Sequence, residues 1–240
     1  MQKTDTFGIA AITTQLQGIP AADALQLLAD AFPGKIVFST SFGIEDQCIT
    51  HMIRSNQIPI KIFTLDTGRL FPETYTLWSQ TVEKYRAPIE AWYPDAEQLA
   101  DFVGKEGPNA FYRSPELRKS CCHIRKVAPL QKALQGQSVW VTGLRAAHSP
   151  ERQGLTTVEW DAQHHILKFH PLLNWSGEEV RTMVERENIP YNPLHDRGFV
   201  SIGCAPCTRA IQPGEDFRAG RWWWEENSKK ECGLHVHQHS

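Results

Sequence analysis

The sequence predicts an α/β protein built on a doubly wound, mostly parallel sheet. Short continuous apolar runs alternate with helical periods as far as residue 191, and the loops after those runs are rich in Ser, Thr, Gly, Asp and Arg. Size agrees: 240 residues, 41% apolar and 10% aromatic, suffice for one good-sized domain with a short appendage.

Residues 21–32 (AADALQLLADAF) place apolar side chains at 21, 25, 28, 29 and 32, one stripe of a helix. KIVFST (35–40) reads as a buried strand, and SFGIED opens the helix EDQCITHMIRS. IKIFTL (60–65) is a second strand, LDTGRLFPE a loop, and PETYTLWSQTVEKYR a helix with Pro72 suited to its first turn. PIEAWY is a third strand and DAEQLADFV a helix capped by Asp95; SVWVTG (138–143) and ILKFHP (166–171) are further strands. SGEEVRTMVEREN starts with a Ser176/Glu179 capping box.

In such a sheet the ligand crevice lies outside the strands' carboxyl ends. The loops there are STSFGIED, LDTGRLFPE and TGLRAAHSPERQ, a surface for a phosphorylated ligand. The amides of Ser41, Phe42 and Gly43 lead into a helix and can cradle a phosphate. Phe42 stands where pyrophosphate-binding SGGxDS loops carry glycine, so a single phosphate is the more natural ligand.

From Asn192 the composition shifts to Gly, Pro, Arg, Trp and Cys. Two parts are therefore expected, an α/β domain over 20–191 and a functional segment over 192–240; Trp222, Trp223 and Trp224 either pack the tail onto the domain, the favoured reading, or form a binding stripe for a protein partner or a substrate lid. The 25 Lys+Arg and 27 Asp+Glu leave a net charge of −2, which excludes a nucleic-acid coat or a polybasic membrane binder. No apolar run approaches the roughly 20 residues that span a bilayer, and the first residues lack an export pattern. A soluble, cytoplasmic protein is expected.

Six cysteines are unevenly placed. Cys48 falls on an apolar helix face and reads as core. Cys121-Cys122 and Cys204-x-x-Cys207 supply the right number of thiolates for a tetrahedral zinc or an iron–sulfur cluster. Adjacent cysteines aim with difficulty at one ion, whereas a cubane offers each its own iron, which favours [4Fe-4S]; zinc, free thiols and a vicinal disulfide stay open. A thioredoxin-type CxxC is disfavoured by its place in a Gly/Pro-rich stretch. Cys232, in KKECGLH, reads locally as a surface cysteine, although Lys229, Lys230 and His235 favour its thiolate.

SFGIED, LDTGRLFPETY, CCHIRK, TGLRAAHSPER, GCAPCTRAI and EDFRAGRWWWEENSKKECGLH together resemble the assimilatory sulfonucleotide reductases, across nearly the whole chain. The resemblance implies an adenine-nucleotide alpha-hydrolase-like (ATP-pyrophosphatase-like) fold with a mobile C-terminal tail that supplies cluster ligands and a catalytic cysteine. It implies a [4Fe-4S] cluster on Cys121, Cys122, Cys204 and Cys207. The implied reaction is thiol-dependent reduction of adenylyl sulfate to sulfite and AMP through an S-sulfocysteine on Cys232, with thioredoxin or a glutaredoxin-like dithiol as donor. Lys126, Arg218, Arg221 and His235 join Cys232 as catalytic candidates. Ser39, Thr40, Ser41, Phe42, Gly43, Glu45, Asp46, Leu65, Asp66, Thr67, Gly68, Arg69, Gly143, Arg145 and Arg152 are the substrate-binding candidates. Four cluster cysteines favour adenylyl sulfate; the alternatives are the 3′-phosphorylated nucleotide or both and, in another class, a nucleotide-binding iron–sulfur redox sensor. The sequence is compatible with a homo-oligomer.

Overall fold

A computed structural model describes residues 4–148 and 154–225. The apolar runs form strands β1 (Ile36–Thr40), β2 (Lys61–Leu65), β3 (Glu90–Trp92), β4 (Val139–Val141), β5 (Val158–Asp161) and β6 (Ile166–Phe169). Among the described residues they make one six-stranded sheet in the order β3-β2-β1-β4-β6-β5. β4 runs parallel to both neighbours, with Phe38 opposite Val141 and Val141 opposite Phe169. The strand order reverses between β1 and β4, where an open α/β sheet leaves a crevice at its carboxyl edge.

The helices follow their signals. They are α1 (Thr4–Leu16), α2 (Ala21–Ala31), α3 (Ile44–Ser55), α4 (Pro72–Tyr85), α5 (Ala96–Glu106), α6 (Pro115–Cys122), α7 (Ala128–Leu134) and α8 (Gly177–Arg186). Leu25, Leu28 and Ala29 of the α2 stripe are buried. Asp95 caps α5 by accepting the Gln98 amide at 3.0 Å. Ser176 and Glu179 close the capping box of α8, at 3.1 and 2.7 Å.

Four elements differ from the sequence reading. α1 has no apolar stripe to announce it, and α6 and α7 are short. β5 runs antiparallel to β6, Val158 opposite Phe169 and Asp161 opposite Ile166. The four residues between them permit only a hairpin, because a parallel partner needs a long crossover.

The described residues divide into two compact units, one of 4–63, 73–90 and 136–192 and the other of 64–72, 91–135 and 193–225. The second unit is discontinuous, taking in 64–72 and 91–135 as well as 193–225. The first unit holds the large apolar core, with Leu25, Leu28, Phe38, Cys48, Ile49 and Val141 fully buried. No helix among the described residues is long and apolar enough to cross a membrane.

One charged cluster sits inside the first unit. Lys168, 2% exposed, lies 2.9 Å from Asp161 Oδ2 and over the Trp140 ring. The same carboxylate accepts from His164 Nδ1 at 2.8 Å and from the amides of Gln163 and His164. Burial opposes its ionisation, but the bonds from His164 and Lys168 prevail and hold Asp161 well below the usual carboxylate range. Asp161→Asn strands the lysine in the core and should cost on the order of 3 kcal/mol in urea unfolding. Lys168→Met, which keeps an apolar stem on Trp140, should cost less; equal losses would overturn this account of the cluster.

Candidate functional site

In the first unit the loop after β1 turns sharply into α3. Phe42 takes a left-handed φ of 59°, the glycine-like conformation that its position in the loop demands. Its ring is buried and stacks on Trp78 with centroids 5.6 Å apart, so the side chain serves the core. Asp46, in the first turn of α3, reaches back to accept the Ser41 amide and hydroxyl, both at 2.7 Å. The Phe42 amide donates to Thr40 Oγ1 at 3.0 Å. The expected amide cradle is therefore filled by the protein's own groups, an acidic side chain at a helix start taking the place of an external anion.

The loop after β4 closes on this turn. A side chain at Gly143 would overlap the Asp46 carboxyl, so only glycine allows that approach. Arg145 is buried, with Nε 2.9 Å from Glu45 Oε1 and Nη1 donating to Trp175 O at 3.1 Å. Two of its three nitrogens are thereby held by the protein itself. Ser39 Oγ accepts from Trp140 Nε1 at 2.8 Å.

In the second unit Ser114 caps α6, and the helix carries Cys121 and Cys122 in its last turn. A single π turn, His123–Val127, follows before α7 resumes. Such a bulge re-aims the side chains after it. Arg125 and Lys126 line the same cavity as both cysteines. Cys204 caps a 3-10 turn, Ala205–Cys207, whose Ala205 amide donates to Arg69 O at 2.8 Å. Cys204 and Cys207 line that cavity too, with Arg69, Phe111, Arg118 and Pro206. The four thiols thus converge from two segments far apart in sequence. Among the described residues no three His, Cys, Asp or Glu close on a single metal ion.

Cations surround this sulfur. Arg125 Nη1 donates to Thr67 O at 2.5 Å, and Thr67 Oγ1 is 3.3 Å from Cys204 Sγ. Arg221 presses so close to Gly203 that a side chain there would overlap the guanidinium. Trp222, left-handed at φ 42° and 1% exposed, has Arg118, Arg221 and Arg218 at 4.4, 4.8 and 5.9 Å from its ring centroid. Burial alone would raise the Cys204 thiol, yet Lys126, the Thr67 hydroxyl, Arg221 and Arg125 together hold it below its ordinary value. Cys207 goes the other way, pushed up to about 12 by burial and by Cys204 and Cys122. Arg125 Nε, Arg221 Nε and Trp222 Nε1 are buried donors with no acceptor among the described residues.

The model of the phosphoadenosine phosphosulfate reductase domain matches residues 35–210. The chain belongs to that family. It is 48% identical to an adenosine 5′-phosphosulfate reductase of Agrobacterium fabrum over 95% of this chain and 87% of the relative. It is 50% identical to that of Allochromatium vinosum over 89% and 84%. A phosphoadenylyl-sulfate reductase from Candida auris, solved as a phosphate complex, superposes with a TM-score of 0.73 at 26% identity, covering 85% of this chain and 96% of that one. An FMN adenylyltransferase from Candida glabrata, 15% identical with a TM-score of 0.54 over 95% of this chain and 84% of its own, shares the fold alone. The expected adenine-nucleotide alpha-hydrolase-like architecture is the one observed.

The candidates of this phosphosulfate reductase chain fall into two groups. Ser39, Thr40, Ser41, Phe42, Gly43, Glu45, Asp46, Gly143 and Arg145 lie in the first unit. Leu65, Asp66, Thr67, Gly68, Arg69, Lys126, Arg218, Arg221 and the four cysteines lie in the second. Asp66 holds its own loop, accepting the Gly68 amide at 2.8 Å, and Arg69 donates to Pro108 O and Asn109 Oδ1. Arg152, Cys232 and His235 lie outside the described residues. Arg118, Arg125, Phe111 and Pro206 line the cysteine cavity without having been singled out. Arg125 sits inside CCHIRK and could have been read there; Arg118 and Phe111 carry no local signal.

Asp46 gives a pH signature. Burial, opposed by the Ser41 bonds, pushes its carboxyl up from 3.8 to about 6. The native protein then keeps a proton that the unfolded chain releases, so this contribution to stability is complete below about pH 4 and lost as pH rises through 6. The span corresponds to about 3 kcal/mol. Urea midpoints of wild type and Asp46→Asn should diverge across that window, and parallel profiles would refute the shift.

Proposed function

We propose that this protein reduces adenylyl sulfate to sulfite and AMP through a sulfonate carried on Cys232, with a protein dithiol such as thioredoxin or a glutaredoxin-like protein as donor. The convergence of Cys121, Cys122, Cys204 and Cys207 on one cavity that also exposes Lys126 carries this reading. It is supported by relatives at 48% and 50% identity that are named adenosine 5′-phosphosulfate reductases.

Sulfonate transfer, like phosphoryl transfer, needs an aligned nucleophile and positive charge on the equatorial oxygens. In the proposed reaction the Cys232 thiolate attacks the sulfate sulfur, the S–O bond to the nucleotide breaks, and AMP leaves with the electron pair. A donor thiolate then attacks Cys232 Sγ, and sulfite departs with the pair of the broken S–S bond. The second donor thiol displaces Cys232, so the dithiol ends as a disulfide, having supplied two electrons. Lys126, Arg218, Arg221 and His235 are assigned to the sulfonate charge. Ser39, Thr40, Ser41, Phe42, Gly43, Glu45, Asp46, Gly143, Arg145, Arg152 and Leu65–Arg69 are assigned to the nucleotide. The hydroxyls of Ser39 and Thr40, which accept from Trp140 and the Phe42 amide and keep their protons to donate, are the ligand donors rather than the occupied amide and hydroxyl of Ser41.

The donor set fits an iron–sulfur cluster. A [4Fe-4S] cubane spreads its thiolates over separate irons, so it does not require three donors at one point, and its sulfides accept hydrogen bonds. Buried N–H groups of Arg125, Arg221 and Trp222 await such acceptors. Cys121, Cys122, Cys204 and Cys207 are the proposed ligands. When bound, the cluster ties the two cysteine segments together and sets the field at Lys126. The described cysteines form no disulfide, which suits the cytoplasm.

The Candida auris relative is named for the 3′-phosphorylated nucleotide, which makes that substrate the second reading. Equal concentrations of the two nucleotides, compared by sulfite release, should favour adenylyl sulfate; the reverse order would exchange the two readings. Incubation with adenylyl sulfate without reductant should add about 80 Da at Cys232. No adduct there would refute the mechanism. Cys121→Ser should abolish both the absorbance near about 400 nm and turnover; a colourless, fully active variant would refute the cluster.

A further inference from the structure

The second unit carries an exposed aromatic face that the proposed chemistry leaves unused. Tyr112 is 44% exposed and Trp223 40%, and the half-buried Trp224 joins them. Ring centroids lie 4.4 Å apart for Tyr112 and Trp224, 4.9 Å for Trp223 and Trp224, and 6.4 Å for Tyr112 and Trp223. Behind them Phe111 packs at 4.5 Å from Tyr112, and the Tyr112 hydroxyl donates to Pro206 O at 2.8 Å. The face is therefore braced from below, and its outer rings meet water.

Its position along the chain says what it meets. Glu225 follows Trp224 directly and is fixed by a buried ion pair with Arg118, Nε to Oε1 at 2.5 Å. Cys232 stands seven residues further on. Seven residues span at most about 25 Å, so the thiol is tethered within that radius of Glu225. A protein that brings its own thiol to Cys232 therefore works within reach of the surface around Trp223. Short-lived redox encounters are small, and exposed Trp and Tyr are the residues that concentrate binding energy at protein interfaces. The residues beyond Glu225 (ENSKKECGLHVHQHS) are mostly polar and offer little apolar surface to cover these rings themselves.

We propose that Tyr112, Trp223 and Trp224 form the docking face for the protein dithiol that releases sulfite from Cys232. This rests on the function proposed above. While docked, a donor thiolate attacks Cys232 Sγ, forming the Cys232–donor disulfide as sulfite leaves with the electron pair. The second donor thiol then frees Cys232 and leaves the donor oxidised.

The test is sulfite release by thioredoxin and, separately, by dithiothreitol from wild type, Trp223→Ala and Trp223→Phe. Trp223→Ala should raise KM for thioredoxin at least tenfold and leave the rate with dithiothreitol unchanged, and Trp223→Phe should recover much of the loss. An unchanged KM for thioredoxin overturns the docking face. So does an equal loss with both reductants, which would mark Trp223 as structural. A shift in oligomeric state with KM unchanged would assign the face to a second copy and overturn it as well. Failure of the wild type to take up the sulfonate on Cys232 would instead overturn the functional reading, and the docking face with it.

Discussion

Buried sulfur needs positive charge beside it, and the second unit is organised around that need. Cys207 is pushed up by burial and then by Cys204 and Cys122, the repulsion expected of thiols that share a cavity. At Cys204 burial pushes the same way, and Lys126, the Thr67 hydroxyl, Arg221 and Arg125 outweigh it. The guanidinium groups are themselves buried, and each must be held. Arg125 is held by the Thr67 carbonyl, Arg118 by Glu225, and Arg221 by the bare backbone of Gly203 and the Trp222 ring. These contacts also join segments 64–72, 91–135 and 193–225, so the bonds that place the cations are the bonds that assemble the unit.

The first unit solves a different problem, a tight strand-to-helix turn at the point where the strand order reverses. Its backbone donors need acceptors, and Asp46 and Thr40 provide them from within the loop. Phe42 adopts a conformation that costs of order 1–3 kcal/mol for a residue with a side chain, offset by burying the ring against Trp78. Gly143 and the Glu45–Arg145 pair then hold the neighbouring loop against the turn. The polar residues of the motif thus build the loop before they meet any ligand.

Much of the fold was legible because its signals are local. Asp95 and the Ser176/Glu179 box act within one turn, and runs such as KIVFST and IKIFTL are apolar enough to declare buried strands. β5 was not legible: Glu159 and Trp160 break its pattern, and its partner is set by a four-residue turn. At the site, the two cysteine pairs and Lys126 could be read from motif and spacing. That Arg145 pairs with Glu45, and that Asp46 fills the Ser41 turn, could not, since both follow from side chains meeting after the chain has folded. The tryptophan run behaved unevenly: Trp222 is buried among three arginines, whereas Trp223 faces water.

The sequence by itself determined the alternation of strand and helix, the family, and the cysteines available for metal chemistry, because periodicity, capping and motif spacing act over a few residues. Only the tertiary structure decided that Cys121 and Cys122 share a cavity with Cys204 and Cys207, and which cations stand beside them. Those encounters join residues some eighty positions apart. They depend on how a π turn, a bare glycine backbone and a buried ion pair orient side chains in space, and the linear order of the chain does not record that.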